Sequence, residues 1–335
     1  KKAVEESNNE KKVLVLTKTV GVGRFLSLLT RTKQFKRGFL EISSIDGFIS
    51  NLARKIKLTI NHPQKLEDDE KRKHFDEYLP EICKKIFSEH EDKKFDILII
   101  DEGQDFHQNW YEALKTIVKP DGHMFFFYDP LQKQISNSMA ETLNQNKDNY
   151  PFFSLTANYR NSSTITTFLS KLIDKFYGSE KTNYSKLSKF DGKKPEFIAA
   201  DSFDEIIDKS KNKVLKLIND EKFIGRDIAI LSDQSMKPSN YDSTNSLRKN
   251  LEDNSLEVIS AREYAMPYIR ENYENRITFD SIKRFKGLEK PIIILVNLDA
   301  DIDSEEKMRD IYSGLSRARG HLIIISNQQS INYLK

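Results

Sequence analysis

Two adjacent carboxylates, Asp101 and Glu102, stand directly after a short apolar run. Residues 95–100 read FDILII, and the next five read DEGQD. Such runs are typical of strands buried in a parallel sheet, and open α/β sheets bind ligands beyond the carboxyl ends of their strands. A strand-end Asp can hold Mg²⁺ against nucleotide phosphates, while a neighbouring Glu can orient or deprotonate the attacking water. A surface turn with an acidic cap is the alternative interpretation.

Two later segments carry polar groups suited to the same chemistry. The run MFFFY at residues 124–128 is followed by Asp129 and, three residues later, by Gln132. A simple β-turn at Asp129-Pro130 is the alternative interpretation of this segment. In LTANYRNS, at residues 155–162, the permanently charged guanidinium of Arg160 can stabilise charge on a transferred phosphoryl group. A helix cap with a surface arginine is the alternative there.

The order of these segments resembles the motifs of the UvrD/Rep-like superfamily I DNA helicases. Residues 101–105 resemble motif II, the Walker B box; residues 128–132 resemble motif III, and residues 155–162 resemble motif IV. SIKRFKGLE at residues 281–289 is similar to motif V, and YSGLSRAR at residues 312–319 is similar to motif VI. The resemblance therefore extends over most of the chain.

Two weaker matches lie near the start of the sequence. VLVLTKT at residues 13–19 resembles motif Ia, and ISSIDGF at residues 42–48 is a looser match to motif Ib. Asp46 stands where the family often has histidine. In motif V the family usually has Thr-x-His, whereas this chain has Ser281 and Lys283. The resemblance therefore supports a DNA contact of this loop less fully than a complete motif would.

The resemblance implies a role for each motif residue. It implies that Asp101 binds magnesium and that Glu102, Gln132, Arg160 and Arg317 are catalytic, with Arg317 as an arginine finger. It implies cofactor binding for Tyr159, Gly287 and Glu289. It implies contacts with single-stranded DNA for Thr17, Thr19, Ser44, Ser281, Lys283 and Lys286. The implied cofactors are ATP and Mg²⁺.

The elements that must position these residues alternate between strand and helix. Short apolar runs at residues 13–16, 97–100 and 124–128 predict buried strands, and the stretches 46–58 and 71–91 have helical periodicity. The same pattern returns after residue 151, with short apolar runs at residues 195–199, 227–231, 291–296 and 321–325. The sequence predicts an α/β fold with mostly parallel sheets in two domains, 1–150 with a small helical insertion at about 51–94, and 151–335 without a large further insertion. By the resemblance these are RecA-like domains 1A and 2A, with ATP held between them.

The phosphate-binding loop of ATP motors is not in the sequence. No Gly-x-x-x-x-Gly-Lys-Ser/Thr pattern occurs in its 335 residues, and the pair Gly21 and Gly23 lacks the lysine. In the family that loop lies one helix before motif Ia. We therefore expect a longer parent protein to carry the loop with its strand and to hydrolyse ATP, and these residues alone to be inactive.

The amino-acid composition indicates a cellular compartment but does not identify a binding partner. The net charge of +3 comes from 54 basic and 51 acidic residues, so overall charge neither requires nor excludes a polyanion. Local clusters at residues 33–37 and 283–286 place an aromatic among cations, as single-strand binders often do. A solvated face explains such clusters equally well. No apolar run is long enough for a membrane span, and the single Cys83 makes no internal disulfide, so we expect a cytoplasmic protein.

Three interpretations of function stay open. The first is a single-stranded DNA translocase and helicase, with a nuclease domain or subunit as a further partner, because compact relatives often work beside one. The second is a helicase-like scaffold that binds DNA or protein without hydrolysis. The third is an RNA helicase of the same superfamily, in which the strand channel tolerates or uses the 2′-hydroxyl.

Overall fold

The computed structural model describes residues 2–31, 39–60, 68–132, 137–146, 148, 150–155, 157–178, 190–232, 247–261, 263, 274–298, 302 and 304–335. The basic cluster at residues 33–37 lies outside the described residues, as does part of the predicted insertion, residues 61–67. The chain divides into two compact units, Lys1–Phe152 (unit 1) and Phe153–Lys335 (unit 2). Their assignment as domains 1A and 2A stays a prediction.

Unit 1 contains a parallel sheet with the strand order β2-β1-β3-β4. Its strands are β1 (Val13–Thr17), β2 (Leu40–Ser44), β3 (Phe95–Ile100) and β4 (Val118–Phe126). Its helices are α1 (Lys2–Asn8), α2 (Val20–Arg31), α3 (Ile45–Lys55), α4 (Asp68–Lys73), α5 (Leu79–Glu89), α6 (Asn109–Ile117) and α7 (Met139–Gln145), and the π-helical turn His74–Tyr78 joins α4 to α5.

The core of unit 1 lies mainly on one face of this sheet. Leu14 and Leu98 from the strands meet Phe48 of α3, Phe87 of α5 and Trp110 of α6 in one apolar cluster. Burying a side chain of this kind contributes about 1.5–3 kcal/mol. The opposite face carries a smaller cluster, so the sheet is anchored principally through α3, α5 and α6.

Strand β4 departs from the sequence-based expectation. The run at residues 124–128 is predicted to be buried on both faces, but Phe125 is 42% exposed and Phe127 is 51% exposed. Successive side chains of a strand point to opposite faces. Met124 and Phe126 therefore pack on the large core, whereas Phe125 lies on the face with the smaller cluster. The expectation of two buried faces is wrong for this strand, which stands at the edge of the described sheet.

Unit 2 contains a second parallel sheet, with the strand order β5-β10-β9-β6-β8-β7. Its strands are β5 (Glu196–Ala199), β6 (Ile228–Ser232), β7 (Glu257–Ile259), β8 (Arg276–Ser281), β9 (Lys290–Val296) and β10 (Ala318–Ser326). Its helices are α8 (Ser163–Tyr177), α9 (Phe203–Asn219), α10 (Leu247–Glu252), α11 (Ile282–Phe285), α12 (Glu305–Leu315) and α13 (Gln328–Leu334).

The two sheets confirm the predicted fold class, which is α/β with parallel sheets. Strands β6, β9 and β10 are the continuous apolar runs expected of a sheet covered on both faces. Strands β7 and β8 are not among the runs picked out in the sequence. β7 has only three residues, and β8 mixes polar with apolar residues. Among the described residues, no helix has the length and apolar character needed to cross a bilayer.

Candidate functional site

The carboxyl ends of β1, β3 and β4 lie side by side in unit 1. Leu16 is in register with Ile100, which is in turn in register with Phe126. Just beyond these positions the backbone N–H of Asp101 donates to the carbonyl of Leu16 at 2.9 Å. The residues that follow β1, β3 and β4 therefore emerge at one edge of the sheet, where ligands of open α/β sheets bind.

Glu102 is held in an unusual conformation at this edge. Its backbone has φ 56° and ψ 43°, the left-handed region that non-glycine residues rarely adopt. Conformations of this kind cost on the order of 1–3 kcal/mol and persist where neighbouring contacts enforce them. One such contact is the bond from the backbone N–H of Gly103 to the carbonyl of Phe127, at 2.9 Å.

A chain of hydrogen bonds connects Glu102 to the segment after β4. Gln104, fully buried, donates from Nε2 to Oε2 of Glu102 at 2.5 Å and accepts at Oε1 from the backbone N–H of Asp129 at 3.1 Å. Asp129 in turn accepts from Nε2 of Gln132 at 2.8 Å and from the backbone N–H of Leu131 at 2.9 Å. The predicted catalytic residues Glu102 and Gln132 thus belong to one polar network.

The edge has the donor chemistry that magnesium takes in nucleotide sites. Among the described residues no three His, Cys, Asp or Glu side chains are grouped so that they could hold a metal ion by themselves. Mg²⁺ in nucleotide sites is held by one or two carboxylates together with waters and phosphates. Asp101, half-buried directly after β3, is a carboxylate of the required kind, so the residues present fit an ion shared with phosphates.

The residues predicted to contact DNA from motifs Ia and Ib serve the local fold. The hydroxyl of Thr17, which is buried, donates to the carbonyl of Thr19 at 2.9 Å. Ser44 is buried at the N-cap of α3, where its hydroxyl accepts from the backbone N–H of Gly47 at 3.3 Å. Thr19 is half-buried. A role of these residues in DNA binding stays a prediction.

In unit 2 a pair of buried asparagines fixes the segment that carries Arg160. Oδ1 of Asn158 accepts from the backbone N–H groups of Arg160 at 3.0 Å and Asn161 at 3.1 Å. Nδ2 of Asn161 donates to the carbonyls of Ser316 at 2.9 Å and Ala318 at 2.5 Å. These bonds hold the segment against the start of β10.

Of the residues in unit 2 that are predicted to bind the nucleotide, Arg160 and Glu289 are in contact with each other. Nε of Arg160 lies 3.0 Å from Oε2 of Glu289, so these two residues form an ion pair. Gly287, two residues before that glutamate, has φ 84°, a backbone angle that favours glycine. Tyr159 is 84% exposed, so an aromatic face is open to a stacking partner.

Arg317, predicted to be the arginine finger, is buried. Its side chain is 1% exposed, and Nε donates to the carbonyl of Ser313 at 2.8 Å. Its backbone N–H donates to Gly314, so it continues the turn that ends α12. A guanidinium in this position supports the helix end, and its contact with a phosphate stays a prediction.

The motif V residues differ from one another in exposure. Ser281 is buried at the N-cap of α11, and its hydroxyl accepts from the backbone N–H of Arg284 at 3.4 Å. Lys286 is buried as well. Lys283 is exposed, with Nζ 3.2 Å from Oδ2 of Asp310. Of the three predicted DNA contacts in this loop, Lys283 is the one on the surface.

A buried lysine follows motif V directly. Burial lowers the pKa of Lys290 to about 8, although the nearby carboxylate of Asp227 acts to raise it. Its ammonium group donates to the carbonyl of Arg226, and its backbone N–H donates to the carbonyl of Arg317 at 3.2 Å. Lys290 therefore fixes the start of β9 beside the motif VI turn.

The sequence alone does not reveal the bridging residues of either unit. Gln104 and Asp129 stand within the motif segments, yet nothing in their spacing shows that they bond across two strands. Arg319 stands two residues after Arg317, and its Nε lies 3.7 Å from Oε1 of Glu289. The repeated arginine of the Arg-Ala-Arg segment is the one signal that could have pointed to it.

Comparison with known proteins finds distant likeness among solved structures alone. No family model matches the chain, and no curated protein matches it. Among solved structures, the chain is similar to the C-terminal domain of a possible DNA helicase from Lactobacillus plantarum WCFS1. The identity is 19%, the TM-score is 0.36, and the match covers 51% of this chain and 88% of that chain. At this TM-score the similarity carries no information about activity.

Proposed function

We propose that the protein is an ATP-dependent motor that moves along single-stranded DNA and unwinds duplexes, in the manner of UvrD-like helicases. The observation that supports this best is the hydrogen-bonded chain from Glu102 through Gln104 and Asp129 to Gln132. It lies at the carboxyl edge of a parallel sheet, directly beside Asp101. Nucleotide hydrolysis needs a carboxylate for magnesium and a second, firmly held carboxylate for water.

The roles in unit 1 follow from this arrangement. Asp101 would hold magnesium, which when bound neutralises charge on the phosphates. Glu102 would orient the attacking water and take its proton, and the hydrogen bond from Gln104 keeps that carboxylate in place. Gln132, bonded to Asp129, would respond to the terminal phosphate. Preorganised groups of this kind accelerate phosphoryl transfer through positioning and electrostatics.

Unit 2 would supply the cations and the nucleoside contacts. Arg160 carries the guanidinium suited to a phosphate, and the exposed ring of Tyr159 is suited to stacking on a base. Lys283, exposed beside the predicted motif V loop, would contact the DNA backbone. The proposal requires a phosphate-binding loop, which these residues do not contain, and therefore concerns a longer form of the polypeptide. The proposal includes a nuclease domain or subunit as a further partner.

Steady-state ATP hydrolysis by the full-length protein in Mg²⁺ tests the proposal. We expect turnover that a single-stranded DNA oligonucleotide stimulates and that chelation of Mg²⁺ abolishes. A matched RNA oligonucleotide separates the third interpretation, because stimulation by RNA and not by DNA would make the protein an RNA motor.

The scaffold interpretation has one observation in its favour, which is the absence of the loop pattern from the 335 residues. It predicts that the full-length protein binds the oligonucleotide, measured by fluorescence anisotropy, without hydrolysing ATP in its presence. That result would overturn the motor proposal.

A further inference from the structure

Arg319 and Arg160 converge on a single carboxylate in unit 2. Oε2 of Glu289 lies 3.0 Å from Nε of Arg160, and Oε1 lies 3.7 Å from Nε of Arg319. Two guanidinium groups and one carboxylate leave a net charge of +1. Within the part of the chain that the structure describes, Glu289 is the only ion-pair partner of either arginine. Each guanidinium has five N–H donors, so most of the donors of this pair have no protein acceptor there.

The backbone fixes this convergence. The backbone N–H of Ser162 donates to the carbonyl of Arg319 at 2.7 Å, while Asn161 bonds to the carbonyls of Ser316 and Ala318. Both asparagines of the Arg160 segment are buried. The two arginines are thus anchored at their backbones, and their side chains are 39% and 53% exposed.

We infer that Arg319 is a second phosphate-contacting arginine, which acts with Arg160 on the triphosphate of ATP, and that Glu289 positions both. This inference rests on the proposed function and adds to it a residue that the motif resemblance does not assign. Two fork-shaped guanidinium groups present donors that match phosphate oxygens, and the net positive charge of the cluster attracts a polyanion. Arg317, which the resemblance favours, is buried and bonded to Ser313.

Residue-resolved arginine modification of the full-length protein tests this inference. The protein is treated with phenylglyoxal with and without a non-hydrolysable ATP analogue and Mg²⁺, and modification is measured by mass spectrometry. We expect the analogue to protect Arg160 and Arg319 together. Arg248 is the internal control because its side chain is also 39% exposed and forms an ion pair with Glu252. It should react equally in both samples.

Substitution gives a second, independent measurement. Arg319→Ala should lower kcat/KM for ATP on the order of 10-fold or more, as loss of charge-assisted phosphate contacts does, with an unchanged Tm. Arg319→Lys should recover part of that loss. Arg248→Ala should leave hydrolysis at the wild-type value.

The outcomes separate this inference from the proposed function. Protection of Arg160 without Arg319, with wild-type hydrolysis by Arg319→Ala, overturns the inference and leaves the proposed function standing. Protection of neither arginine, in a protein that does not hydrolyse ATP, overturns both. Protection of Arg319 by a single-stranded oligonucleotide and not by the ATP analogue also overturns the inference, because the pair would then contact nucleic acid.

Discussion

At the scale of single residues, buried polar groups give the candidate site its order. Gln104 uses both ends of its amide, one toward Glu102 and the other toward the backbone of Asp129. A buried amide that has both partners stabilises one arrangement of its neighbours, whereas loss of one partner leaves another group unsatisfied. The sequence places Gln104 in a motif, but only coordinates show that it joins two strands.

Gln104→Ala should therefore weaken both the fold and the site. Leaving the N–H of Asp129 and the carboxylate of Glu102 without this partner should lower the free energy of unfolding by about 1–3 kcal/mol. It should also reduce ATP hydrolysis, because the carboxylate is no longer held. Urea unfolding and steady-state assays measure the two effects. Gln108→Ala, a change at an exposed glutamine nearby, should alter neither. Equal stability of the two variants would disprove the bridging role.

The stability of unit 2 should depend on pH through the buried side chain of His321. Burial lowers its pKa from the ordinary value of 6.5, and Lys193 and Lys213 lower it further, against the opposing effect of Glu196 and Glu221. Above the ordinary value the imidazole is neutral in both the folded and unfolded chains. As the pH falls below it, the unfolded chain binds the proton first, so stability decreases until the folded-state pKa is passed.

His321→Gln should remove this dependence. We expect the Tm of the wild-type protein to fall more steeply than that of the variant between about pH 7.5 and about pH 5.5, the range in which histidine titrates. Thermal unfolding followed by circular dichroism at both pH values measures the difference. Parallel curves for the two proteins would show that this histidine does not set the slope.

At the scale of elements, apolar runs locate strands well, whereas contacts between elements decide burial. The runs of β1, β3, β6, β9 and β10 are visible in the sequence because parallel strands need apolar side chains on both faces. β4 has a similar run, yet Phe125 and Phe127 are exposed. Its place at the edge of the described sheet, which the sequence does not encode locally, decides their exposure.

Close packing of backbone on backbone constrains one connection in unit 2. Gly225 lies between α9 and β6, where its N–H donates to the carbonyl of Glu274 at 2.5 Å. A Cβ at this position would lie 2.9 Å from backbone atoms of Glu274, Asn275 and Arg276. Backbone atoms cannot rotate away as a flexible side chain does, so the segment before β8 would have to shift.

Gly225→Ala should consequently destabilise unit 2. We expect a loss of about 1–3 kcal/mol from overpacking, measured by chemical unfolding. The matched control is Gly320→Ala in β10, where the nearest atom to the added Cβ is the carbonyl oxygen of Pro291 at 3.8 Å. That variant should stay within about 0.5 kcal/mol of the wild type. If Gly320→Ala were the less stable of the two variants, close backbone packing at Gly225 would be disproved.

At the scale of the whole molecule, the sequence predicts the type of fold more fully than the site. Alternating runs predict two α/β regions because each strand and each helix carries its own periodicity. The networks around Glu102 and around Glu289 include bonds that span 25 positions, from Gln104 to Asp129, and 129 positions, from Arg160 to Glu289. Such pairings depend on strand order and register, which local patterns do not specify. Local sequence patterns likewise do not specify the burial of Arg317.

Glu102 is proposed to activate water for ATP hydrolysis, and Glu102→Gln in the full-length protein tests this role. The amide keeps the size of the side chain but cannot take a proton, so kcat with single-stranded DNA should fall by about 10²–10⁴-fold while binding of Mg²⁺ and ATP persists. Glu112→Gln, at a surface ion pair of α6, should retain wild-type turnover. Wild-type turnover by Glu102→Gln would show that this carboxylate does not activate the attacking water.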